Sequence, residues 1–115
     1  MSLSHSPLIV RDGLVLCLDA ANPRSYPKSG TTWTDLKGGN DGTLTNGPTF
    51  DVGNRGSISL DGSNDMIRIA DNDVNALPVT DFPLTVAIWI KTTDSEAYIF
   101  NFTSQPSDWY EEYDL

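Results

Sequence analysis

The sequence predicts an all-β chain, and three observations carry that prediction. Apolar residues recur at every second position in several short stretches. The segments between them are rich in Gly, Pro, Asn and Asp, and no stretch of useful length shows a 3.6-residue period. With 115 residues, 38% hydrophobic content and a mean hydropathy of -0.29, the chain is expected to form one domain over 1–115 that buries a core and stays soluble.

The elements follow in chain order. Residues 1–7 are expected to be a flexible start. Leu14, Leu16 and Leu18 alternate with Val15 and Cys17, apolar on both sides, as suits a buried strand. Cys17 is the sole cysteine, so no intrachain disulfide forms and the thiol is expected to pack as a small hydrophobe. Residues 22–48 hold five glycines and three prolines, which excludes a helix. Within them Asn40-Asp41-Gly42 and Asn46-Gly47 read as turns, because these residues tolerate positive φ.

Residues 57–69, SISLDGSNDMIRI, read as two alternating strands joined by the acidic turn Asp61-Gly62-Ser63-Asn64-Asp65, in the manner of a hairpin. Residues 71–77 suit one short helical turn before Pro78. Leu84, Val86, Ile88 and Ile90 form the cleanest two-residue period, with Thr85, Ala87, Trp89 and Lys91 opposite, and Trp89 is expected to pack against a second sheet. Tyr98, Phe100 and Phe102 line a further face. Residues 103–115 form an acidic, aromatic tail in which Trp109, Tyr113 and Leu115 fit one strand face.

Charge removes several function classes. The net charge is -9, and seven basic residues spread from Arg11 to Lys91 form no stripe, so nucleic acid is excluded as a main partner. No apolar run reaches membrane-spanning length, and MSLSHSPLIV lacks the basic and apolar regions of a secretory leader. The expected origin is a reducing cytoplasm, left by assembly or lysis.

The residues also argue against catalysis. Glu96, Glu111 and Glu112 are the only glutamates, and no strand carries the paired carboxylates of a glucanase. One histidine, His5, and one cysteine make neither a hydrolase triad nor a zinc site. The chain is thus expected to be no enzyme and to require no cofactor. Oxygen ligands are plentiful, however, and Asp61, Asn64 and Asp65 on one turn are candidate calcium ligands, with Asp35, Asn40 and Asp41 on another. The competing reading gives these residues to turn geometry. Trp33, Trp109, Tyr110 and Tyr113 are candidate glycan-stacking residues, while Trp109, Tyr113 and Leu115 equally suit a contact patch for another chain.

The ordered run GLVLCLDAANPRSYPKSGTTWTDLKGGNDGTLTNGPTF, SISLDGSNDMIRI and LTVAIWIK resembles the opening of a laminin G-like jelly roll of the concanavalin A-like superfamily. The start SHSPLIVRDGLVLCLDAANPRSYP is similar to a version found in structural proteins of tailed phages, including cyanophages. The resemblance spans about residues 5–102 and implies an antiparallel two-sheet jelly-roll sandwich with a non-catalytic role in adhesion, decoration or assembly. It implies a virion protein made in the host cytoplasm, partnered by other virion proteins or by copies of itself. The alternative within the same likeness is a lectin-like, calcium-dependent module for cell-surface glycan. A jelly roll needs about eight strands and this sequence supplies six or seven. The expected sandwich is therefore incomplete, its bare edges covered by another copy or another protein.

Overall fold

The computed structural model describes residues 9–69, 83–96 and 98–101. The chain divides into two compact units, Met1–Pro78 and Val79–Leu115.

The first unit carries two small antiparallel sheets. In one, β1 (Thr32–Trp33) pairs with β2 (Gly42–Thr45), and β2 pairs with β5 (Met66–Ile69). In the other, β3 (Thr49–Asp51) pairs with β4 (Ser57–Ser59) around the 3-10 turn Gly53–Arg55. The described residues are thus all-β in their regular structure. Alternation explains β2, where Gly42 and Leu44 are buried and Thr43 is exposed. Register places Leu44 opposite Ile67 and Thr43 opposite Arg68, so apolar meets apolar on one face and polar meets polar on the other.

The 57–69 segment is not a hairpin. β4 turns back to β3 and β5 to β2, so the acidic turn joins strands of different sheets. The two ladders are nested, and the break between them is lopsided. Three residues, 46–48, lie between Thr45 and Thr49 on one limb, and six, 60–65, lie between Ser59 and Met66 on the other. A continuous ladder cannot absorb that difference, because paired strands must advance residue for residue.

The core sits where these elements meet the 18–26 segment. Tyr26 and Leu44 are buried, and the Tyr26 and Phe50 rings lie 5.8 Å apart at 34°, tying the β3–β4 sheet to that segment. Two glycines permit the close approach. A Cβ on Gly42 would come within 3.3 Å of Ile67 Cγ2 and 3.5 Å of both Leu18 Cδ1 and Trp33 Cβ. At Gly56, with φ of 130°, it would lie 2.9 Å from both the Ala20 carbonyl oxygen and Phe50 Cζ.

Residues 14–18 do not form the expected buried strand. Leu14, Leu16, Cys17 and Leu18 are half-buried, and loop side chains and loop backbone rather than a neighbouring strand take their backbone groups. The Cys17 N–H donates to Asp35 Oδ1 (2.9 Å), and the Val15 carbonyl accepts from Asn40 Nδ2 (3.3 Å). The Asp19 N–H donates to Ser25 Oγ (3.0 Å), and that buried hydroxyl donates onward to the Thr34 carbonyl (2.7 Å). Loops supply what a ladder would have supplied.

In the second unit, residues 84–91 belong to no ladder among the described residues. Leu84 is half-buried, whereas Val86, Ile88 and Ile90 are about half exposed and Trp89 is fully exposed, contrary to its expected burial. Tyr98, Ile99 and Phe100 are exposed as well. A two-residue period becomes a strand only where a neighbour takes its hydrogen bonds. The helical turn expected at 71–77 lies outside the described residues.

Candidate functional site

Two acidic turns in the first unit hold the oxygen-bearing residues that the sequence singles out as candidate cation ligands. The inner one, 35–41, is organised by Asp35, which is only 3% exposed. Its Oδ1 accepts from the N–H groups of Cys17 and Lys37, both at 2.9 Å, and Oδ2 accepts from the Asn40 N–H at 3.2 Å. The Asp35 N–H in turn donates to Asp41 Oδ1 at 2.8 Å, and the Leu36 N–H to the Cys17 carbonyl at 2.8 Å. A buried carboxylate surrounded by backbone donors is a brace. Positive φ in this loop falls on Gly38 and Gly39 rather than on the expected Asn40-Asp41-Gly42, because Gly42 already belongs to β2.

The outer turn, 61–65, is exposed apart from the half-buried Asp65. Asp61 Oδ1 accepts from the N–H of Ser63 (2.8 Å) and of Asn64 (3.3 Å), while the Asp61 N–H donates to Asp65 Oδ2 (3.0 Å). These bonds, that from Ser63 above all, hold the Asp61 carboxyl below its ordinary value of 3.8. The Asn64 carbonyl accepts from Asn46 Nδ2 at 2.6 Å, clasping the two limbs of the register break together. Asn46 and Gly47 take the positive φ that their sequence predicts, 70° and 115°. Asp65 Oδ1 is buried without a hydrogen-bond partner.

The structure therefore brings Asp61, Asn64 and Asp65 onto one turn, with Asp61 engaged by backbone donors. Among the described residues, no three His, Cys, Asp or Glu side chains gather in a way that could hold a metal ion. Trp33 lies apart from them on β1, half-buried, with its indole Nε1 buried and unpartnered. An orphaned donor of this kind costs about 1–3 kcal/mol. Trp109, Tyr110, Tyr113 and Leu115 lie outside the described residues.

Cys17 borders a cleft of about 120 Å³ with Ile9, Arg11, Leu14, Leu36 and Lys37. Small-molecule sites commonly measure roughly 300–1,000 Å³, so this one is too small for a sugar ring. Burial, then Asp19 and Asp35, push the Cys17 thiol above its ordinary value of 9.0, with Arg11 pulling weakly the other way. The thiol is kept neutral, the opposite of what a nucleophile needs.

The inner brace was partly hidden in the sequence. Asp35, Asn40 and Asp41 stand out there as oxygen donors, but only the fold shows that Asp35 faces inward to Cys17. The usable signal was the glycine pair at 38–39, which lets a short loop wrap around a carboxylate. Comparison with protein-family models, curated proteins and solved structures returns no match to this chain.

Proposed function

We propose that the chain is a non-catalytic structural module of a virion, a jelly-roll subunit that decorates a capsid or associates with a tail and works through protein–protein contacts. The observation that carries this reading is the exposed apolar row of the second unit, Val86, Ile88, Trp89 and Ile90. Contiguous apolar exposure of this kind marks an interaction surface. The laminin G-like and phage-like order of motifs supports the same reading, as does the use of Asp35 as a brace and of Asp61 as a turn-former, both spent on backbone N–H groups. Host-surface adhesion is compatible with such a module.

The test is the mass of the protein in solution beside its presence in particles. Self-association at micromolar concentration, or a fixed copy number in purified virions, is the expected result. A monodisperse monomer with one cooperative melt defeats the proposal.

A calcium-dependent carbohydrate-binding module is the second reading, favoured by the unpartnered Asp65 Oδ1 beside Asp61. Glycan-array binding that a chelator or Trp33→Ala abolishes would select it over the first.

A further inference from the structure

Asn46-Gly47 combines three properties on the shorter limb of the register break. Asn46 and Gly47 are both exposed. Among the described residues no hydrogen bond holds the Gly47 N–H, and glycine brings no side chain to shield that nitrogen. The Asn46 side-chain amide is also the donor that spans the break, 2.6 Å from the Asn64 carbonyl. We propose that Asn46 is a site of spontaneous deamidation, and that its conversion releases the clasp between the 46–48 and 60–65 limbs.

The chemistry needs only water and mild base. The Gly47 backbone nitrogen attacks Asn46 Cγ, forming an N–C bond as the Cγ–Nδ2 bond breaks. Ammonia leaves with the proton given up by the Gly47 amide, and a five-membered imide remains. Water then adds across one of the two imide C–N bonds, giving aspartate or, with the main chain lengthened by one carbon, isoaspartate. No oxidant or reductant enters.

Either product undoes the clasp. The Nδ2 donor is replaced by a carboxylate oxygen, which faces the Asn64 carbonyl as acceptor against acceptor. The new charge also falls close to Asp65, whose Oδ1 lies 3.8 Å from where a Cβ on Gly47 would sit. Asn40 provides an internal control, because it is buried within the braced loop and is followed by Asp41 rather than by glycine.

The experiment incubates the whole chain at mildly alkaline pH and maps it by trypsin and tandem mass spectrometry. Cleavage after Lys37 and Arg55 leaves Asn40 and Asn46 in one peptide, where fragment ions separate them. Acid products, isoaspartate the major one, are expected at Asn46 several-fold faster than at Asn40. Equal rates, or an intact Asn46 amide while Asn40 converts, would overturn the site. Hydrogen exchange on Asn46→Asp tests the clasp separately. Faster exchange at the Asp61, Ser63 and Asn64 amides is expected, and unchanged exchange there would overturn the proposed release.

Discussion

The inner and outer acidic turns are built from the same residue types and do different jobs. At 35–41 a carboxylate faces inward and collects three backbone N–H groups, two of them within its own loop and one from Cys17, eighteen residues away. At 61–65 the carboxylate of Asp61 faces water and bonds only to its own turn. Composition alone does not distinguish a brace from a turn-former. What distinguishes them is the sequence distance over which the carboxylate acts and the water excluded around it.

The comparison breaks most sharply at Asp35. Asp35→Ala strands three backbone donors, that of Asn40 buried, and is expected to cost about 3 kcal/mol, seen as a lower denaturation midpoint. Asn40→Asp follows. It removes the donor to Val15 and buries a second carboxylate beside Asp35, an expected loss of about 2 kcal/mol by the same measurement.

Cys17 reports on the inner turn from the other side. Its raised folded value means that the neutral thiol contributes stability below the ordinary 9.0, which is lost as pH rises through the folded value. Alkylation of the native chain should therefore lag behind that of the unfolded chain near pH 9, and the lag should shrink in Asp35→Ala, which removes one of the two charges that add to burial.

The outer turn should respond to acid instead. Because the Asp61 value is depressed, its contribution is present above 3.8 and fades as pH falls through the lower folded value. An NMR titration placing Asp61 at or above 3.8 would contradict the turn geometry. The smallest effect is expected for Asn64→Asp, whose backbone carbonyl rather than side chain makes the clasp. Its stability should stay within about 0.5 kcal/mol of the parent, and a larger loss would mean that the outer turn is a brace after all.

The sequence was most informative where local chemistry decides the outcome. The strands at 57–59 and 66–69, the Asn46-Gly47 corner and the absence of long helices among the described residues follow from alternation and turn residues. Pairing was less legible. SISLDGSNDMIRI looks like a hairpin because its turn is short and polar, yet β4 finds a better neighbour in β3 across Gly53–Arg55. Residues 14–18 have a strand's pattern, but Asp35 and Asn40 reach their backbone first. Residues 84–91 keep their period and join no ladder among the described residues, because a partner strand is not written in a segment's own order.

The unequal limbs between the two nested ladders have one more consequence. Removing three residues from the longer limb, 60–65, would bring both ladders into a single register. β2 and β3 could then run on as one strand against β4 and β5, merging two sheets into an uninterrupted ribbon and pulling Phe50 away from Tyr26. A surplus of three residues thus determines whether this part of the molecule has a corner, and length variation in related chains should be scarce on the short limb and tolerated on the long one only in added residues.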